Sequence, residues 1–309
     1  IEFEITRGTT FREAVESLAK KGLVRDKWVF ILLGRLTGID RKIKAGYYPI
    51  WGSMSPWDIF KAFRRGQIIE YELTVVPGDS LLEVGEKLSG LGITDVKSFF
   101  PLSRDKDMLI DYDIDAPSLE GYLFPDTYKF PKGLSAREVI TLMIERLRNV
   151  YNTEMLSRTY ELRLTERDIL TLASIIEKEA VNDEERSLIA AVYNNRLKKK
   201  MPLQADPTAI YGVKSSREKI TKEDLLRKTK YNTYIINGLP PGPIASPGLK
   251  SILAALYPAD VPYLYFVSNN DGTHSFSTSL SSHLDAVKAY RDKKKAKGRN
   301  TVKTEGLNR

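Results

Sequence analysis

The chain has 309 residues, a net charge of +8, no cysteine, and 42% hydrophobic against 28% charged residues. That is enough chain for two domains or one large one with a substantial core. The lack of cysteine excludes disulfides, thiolate zinc sites and a cysteine nucleophile, and the positive balance favours anionic partners or surfaces.

The sequence opens on Ile1 rather than Met, which predicts that a leading segment, a signal or an anchor, has been removed. Residues 3–6 read as a short strand. Thr10 with Glu13 makes a capping box for a helix that Gly22 ends, and Asp26 opens a second helix carrying Trp28, Val29, Leu32 and Leu33. The run 28–33 is the longest strongly apolar one, well short of the ~20 residues of a membrane span. KAGYYPI (44–50) reads as a turn and strand, and Ser55, Pro56 and Asp58 start a third helix ending at Gly66. Residues 1–68 thus predict a compact α+β module. At an offset of 70, Gly8, Glu13, Glu16, Leu18 and Gly22 recur as Gly78, Glu83, Glu86, Leu88 and Gly92. The strand, turn and capped helix therefore occur twice, the second copy leading over 69–118 into a larger domain that runs to 291.

Residues 103–118 read as a polar loop, followed by the aromatic and acidic EGYLFPDTYKF (120–130). Ser135 and Glu138 box a helix through about Tyr151. Thr165 and Asp168 cap the next, and Asn182 with Glu185 caps one running to Leu197. MPLQADPTAIYG (201–212) reads as a loop, Thr221 and Asp224 cap a small helix, and 231–248 is a long Pro/Gly loop of the kind that usually binds something. A helix through Ala254, strands at 263–267 and 274–278 joined by a turn at Asn269–Gly272, and a helix over about 282–294 complete the order. The basic segment 292–309 (Lys293, Lys294, Lys295, Lys297, Arg299, Lys303, Arg309) reads as a solvated, flexible tail rather than a nucleic-acid arm.

The residue that needs explaining is Glu179. In the helix opened by Thr165, Ile169, Leu172, Ala173 and Ile176 form one apolar stripe, and Glu179 projects only about 20° off it, whereas Glu177 points toward the rim. A carboxylate aimed into an apolar face must be neutralised, paired or used. Two readings follow: a structural pair with a buried arginine, or a general acid whose pKa desolvation raises. The sequence holds no GxSxG, Walker A, GxGxxG, HExxH or CxxC. Its two histidines, His274 and His283, read as hydrogen-bonded or exposed rather than metal-bound. A two-carboxylate glycosidase would need a second acid, for which Glu120, Asp126 and Asp206 are candidates and none stands out. Tyr122, Phe124, Tyr128, Tyr211, Tyr231 and Tyr234 suit either stacking on sugars or an ordinary core.

LASIIEKEA (172–180), VYNNRLKKKMPLQADPTAIYG (192–212), YNTYIINGLPPGPIASPG (231–248), YLYFV followed by H-F-T, and the upstream EGYLFPDTY together strongly resemble the YceG-like family of endolytic murein transglycosylases, the MltG proteins. The resemblance covers nearly the whole chain. It implies an α+β fold, with a small LysM-like N-terminal module over 1–68 and a mixed α+β catalytic domain over 69–291. It places the family's catalytic glutamate, the second of the EKE triplet, on Glu179. The implied reaction is a non-hydrolytic cut of the MurNAc–GlcNAc β-1,4 bond within glycan strands, leaving 1,6-anhydroMurNAc ends and terminating or trimming nascent strands. The alternatives are a non-catalytic peptidoglycan-binding or scaffold protein, and a hydrolytic muramidase. Glu120, Gln204, Asp206, Thr208, Tyr211, Asn232 and Tyr234 are the expected substrate-binding residues. No metal, other cofactor or nucleic acid is implied; the partners are peptidoglycan strands and wall-synthesis enzymes. The resemblance further implies a single-pass anchor in the bacterial cytoplasmic membrane, with this region on the periplasmic or extracellular side. Ser246 stands where many relatives carry Asn before Pro-Gly, which bears on one loop contact.

Overall fold

The computed structural model describes residues 1–214, 218–269 and 271–305, with side chains through 292. Tail side chains from Lys293 on, and Asn270 in the expected hairpin turn, lie outside the described residues. The chain divides into two units that are not consecutive in sequence. Unit 1 holds 1–74, 85–99 and 127–139; unit 2 holds 75–84, 100–126 and 140–309.

Unit 1 begins with β1 (Glu2–Ile5), α1 (Phe11–Lys20), α2 (Lys27–Thr37), β2 (Gly46–Pro49) and α3 (Pro56–Arg65). Strand β1 pairs antiparallel with β2, setting Phe3 opposite Tyr48. The inward alternation of β1 sends Phe3 and Ile5 into a core shared with Val15 and Leu18 of α1 and Phe60 and Phe63 of α3. Tyr48 meets Phe63 edge-on, centroids 4.7 Å apart. The second helix carries apolar residues on two faces. Its buried face is Phe30, Ile31 and Gly34, while Trp28, Val29 and Leu32 face solvent. Gly34 explains the choice: a Cβ there would lie 2.1 Å from the Phe11 ring, so this is the face on which α1 closes. The unit is completed by β3 (Glu70–Thr74), the C-terminal part of α4 (Leu81–Gly90), the start of α5 (Val96–Leu102), and β4 (Thr127–Pro131). Strand β3 pairs antiparallel with β4, Glu70 opposite Pro131, which carries residues 127–131 to unit 1 across a long sequence gap.

The repeat at offset 70 is structural. Gly8 and Gly78 both adopt left-handed φ, +86° and +88°. Thr10–Glu13 and Ser80–Glu83 are both reciprocal capping boxes. Both helices close with the same backbone bonds, Leu23 N to Leu18 O and Ile93 N to Leu88 O, each 3.0 Å.

Unit 2 takes in α6 (Lys106–Asp111), most of α7 (Ala136–Val150), α8 (Thr153–Glu161), α9 (Glu166–Glu179), α10 (Arg186–Lys198), α11 (Asp206–Ile210), α12 (Lys222–Leu226), α13 (Leu249–Leu256), the hairpin β5 (Tyr265–Ser268) and β6 (His274–Ser277), and α14 (Leu280–Glu305). In this unit three elements were not legible beforehand. Residues 103–118 contain α6, capped by Asp105 and anchored by buried Met108 and Leu109. Asn152 caps α8, with Met155 N donating at 3.0 Å. The 201–212 loop folds its middle into α11. The last helix runs on to Glu305, with no proline along it to end it sooner.

Helix α9 organises this unit. Every residue from Ile169 to Ile176 is buried, so it is enclosed on all sides rather than amphipathic. Helices α13, α10, α11 and α8 all pack on it. The Pro/Gly loop is tied to it through Ser174, whose Oγ accepts from Ile244 N at 3.0 Å. Ser246 contributes through its backbone: its N donates to Asp79 O and its O accepts from Gly78 N, each at 2.8 Å. Neither bond involves the Ser246 side chain. Among the described residues no helix is long and apolar enough to cross a membrane.

Candidate active site

The three residues that end α9 go three ways. Glu177 does not reach the rim. Its side chain is buried, with Oε1 2.9 Å from Arg186 Nη1 and Oε2 accepting from Gly248 N at 2.9 Å. That second bond satisfies a donor at the start of α13, so Glu177 holds the Pro/Gly loop, α10 and α13 together. Lys178 Nζ donates to Gly78 O at 3.1 Å. Glu179, the last residue of the helix, has no cation beside it among the described residues and is half-buried. The buried arginine that a structural reading required is present, but it belongs to Glu177.

Burial pushes the Glu179 carboxyl up to about 7, and the negative charge of Asp206 pushes it the same way. The Tyr193 hydroxyl and the Asp206 backbone N–H favour the carboxylate and pull against this. Tyr193 lies within α10 and is itself buried, with its hydroxyl directed at the Glu179 carboxyl. The result is a carboxyl that can hold or release a proton near neutrality.

The segments around it are braced rather than loose. Asp206 begins α11, is exposed, and accepts from Tyr234 Oη at 2.5 Å. Gln204 is exposed and takes a left-handed φ of +50°, uncommon for a residue with a Cβ. That conformation is held by its N–H donating to Thr233 O at 3.1 Å. Thr208 and Thr233 are buried and joined hydroxyl to hydroxyl at 2.8 Å, and Ala205 N donates to Thr233 Oγ1 at 2.9 Å. The Asn232 amide donates to Arg227 O at 2.8 Å, and its oxygen accepts from Tyr234 N at 3.0 Å. Thr208 and Asn232 thus have no free face; they position the loops that present Gln204, Asp206 and Tyr234.

Glu120 also sits below the surface. Its carboxylate accepts from Leu81 N at 2.9 Å and from Tyr211 Oη at 2.8 Å, and burial pushes its pKa up to about 7. Tyr211 is half-buried against Tyr231, centroids 4.6 Å apart. Asp126 is engaged by Arg146 at 2.6 Å. Of the aromatics, Tyr122 and Phe124 are core residues and Tyr128 belongs to unit 1, stacked on Phe130.

Glu185 stands at the N-cap of α10 but its side chain makes no capping bond; it accepts from His274 at the backbone (2.9 Å) and at Nδ1 (2.7 Å), joining α10 to β6. Among the described residues no three His, Asp or Glu side chains converge as a metal site. Sequence reasoning missed Tyr193 and Thr233. Tyr193 shares a stripe with Ile189 and Val192 and reads as core, and Thr233 reads as one polar loop residue among many.

The central helix of unit 2 thus ends on a half-buried glutamate whose proton is held near neutrality first by burial and then by the charge of Asp206, an arrangement able to support acid–base chemistry. Residues 3–289 match the YceG-like family, and the chain belongs to it. It is 31% identical to an endolytic murein transglycosylase of Bacillus subtilis, covering 96% of this chain and 86% of that one. It is 28% identical to the endolytic murein transglycosylase of Streptococcus pneumoniae, spanning 56% of that protein's length. A yceG-like protein of Listeria monocytogenes, known from a 2.6 Å crystal structure, superposes with a TM-score of 0.64 at 31% identity, covering 92% of this chain and 98% of that one.

Proposed function

We propose that the chain is an endolytic murein lytic transglycosylase, a lyase, with Glu179 as its single acid and base. The observation that carries this reading is the carboxyl itself: near-neutral, half-buried, free of any described cation, and ending the helix on which the domain is built. The names of the relatives support the substrate class.

Protonated Glu179 donates to the glycosidic oxygen as the bond from MurNAc C1 breaks. As carboxylate it then takes the proton from the 6-hydroxyl of the same MurNAc while O6 bonds to C1. The proton returns to Glu179, no water is consumed, and a 1,6-anhydro ring results. Because the second nucleophile belongs to the sugar, no second catalytic carboxylate is needed. A pKa near 7 suits both half-reactions. Gln204, Asp206, Tyr211 and Tyr234 are the residues with a face open to a glycan, and Glu120, Thr208 and Asn232 support them. On this reading residues 1–68, within unit 1, serve as the LysM-like module. The enzyme works outside the cytoplasmic membrane, tethered by an N-terminal anchor, trimming or terminating strands beside the synthases that make them.

The test is the mass of the products from purified glycan strands. Muropeptide ends lighter by one water than reducing ends are expected. Reducing ends alone, or water oxygen incorporated at C1, would mean a hydrolase and overturn the proposed reaction.

A further inference from the structure

In unit 1, α2 presents an unpartnered apolar face opposite its buried one. Trp28, Leu32 and Leu36 are 61%, 58% and 75% exposed, and with Val29 they fall within an arc of about 100°. Monomeric surfaces scatter single apolar residues; four on one stripe of one helix mark an interaction site. The surroundings state the chemistry of what covers it. In sequence, the stretch 20–44 holds eight cations (Lys20, Lys21, Arg25, Lys27, Arg35, Arg41, Lys42, Lys44) against two anions, Asp26 and Asp40, and Lys27 Nζ lies over the Trp28 ring, 5.3 Å from its centroid. Asp26 is occupied in capping α2 through Trp28 N and Val29 N. Arg35 borders the stripe directly. A shallow cleft between Arg35 and Arg12, floored by Ile31 and walled by Trp28 and Leu32, opens beside it. Arg12 also pairs with Glu16 at 3.2 Å.

We infer that this face of α2 docks on an anionic phospholipid surface, with Trp28, Leu32 and Leu36 entering the headgroup–acyl boundary and the flanking cations meeting lipid phosphates. Three observations select this occupant. A second copy of the chain would bring its own Lys27, Arg35 and Arg12 against these, and repel. A sugar strand gains from Trp28 but nothing from Leu32, Leu36 and Val29, which offer no hydrogen bonds. A bilayer with negative headgroups satisfies both parts at once, as for helices that lie in the interface plane. The inference is independent of the reaction proposed for Glu179.

The protein has three tryptophans, so a Trp51→Phe, Trp57→Phe variant reports on Trp28 alone. Its emission, and co-sedimentation of the whole chain, are followed with vesicles of phosphatidylglycerol and phosphatidylcholine, and with phosphatidylcholine alone. Expected are binding and a blue shift only with the anionic vesicles, weakening as salt is raised. Leu32→Asp with Leu36→Asp, both surface changes whose folding is checked by thermal unfolding, is expected to weaken binding by about tenfold or more. Overturning results are no binding to anionic vesicles at low salt, or undiminished binding by the double variant, which would assign it to the basic tail. A Trp28 shift given by soluble glycan strands, or self-association lost in the double variant, would equally overturn it.

Discussion

Asp206 and Tyr193 act on Glu179 in opposite directions, and that opposition can be measured. Asp206 raises the Glu179 pKa by charge, so Asp206→Asn is expected to move the alkaline limb of kcat/KM, where the acid loses its proton, to lower pH. Tyr193 favours the carboxylate, so Tyr193→Phe is expected to move the same limb upward. Shifts of the same sign in both variants would contradict this arrangement. Two residues before Glu179, Glu177 has a wholly structural place. Glu177→Ala leaves Arg186 without its buried partner and Gly248 N without an acceptor, and is expected to lower stability by about 3 kcal/mol in denaturant unfolding. The sequence did not separate these two acids correctly. It placed Glu177 at the rim because a wheel assumes that one side of a helix faces water, and the last turn of α9 is packed on that side by the Pro/Gly loop.

At the scale of elements, caps were the most legible feature, since they are local: Thr10, Ser55, Thr165 and Thr221 all receive the hydrogen bonds their spacing implies. Faces were less legible. Helix α9 is buried all round, so its apolar stripe did not by itself fix where Glu179 points; the resemblance of the EKE triplet to its family did more. Helix α2 carries apolar residues on both faces, and only the close approach of Gly34 to Phe11 decides which is inside. Gly34→Ala drives a methyl into that ring and is expected to destabilise the protein by about 1–3 kcal/mol. An unfolding midpoint equal to that of the unchanged protein would mean that α1 and α2 do not close there. Short helices such as α6 and α11 escape sequence reading because one turn gives no period to count.

Across the molecule, the pairing of β3 with β4 could not be read in advance, because nothing in either strand names a partner more than fifty residues away. The non-consecutive units follow from it. The burial of two acids also has a global consequence. Glu179 and Glu120 hold their protons up to about 7 in the folded chain, against 4.5 for an ordinary glutamate. Below 4.5 both are protonated folded or unfolded and pH has no effect through them. Between 4.5 and 7 the unfolded chain has released protons that the folded chain retains, so stability falls as pH rises, by a few kcal/mol at most per group, and levels off above 7. Glu179→Gln removes the charge that is costly to bury, and its unfolding temperature relative to the unchanged protein is expected to rise between pH 5 and pH 8.

Cleavage of purified murein strands by Glu179→Gln at neutral pH, with folding verified by that same unfolding temperature, bears most directly on the central assignment. A loss of about a thousandfold in rate with the fold intact is the expected result. Cleavage at the unchanged rate, with the same ring-closed ends, would contradict it.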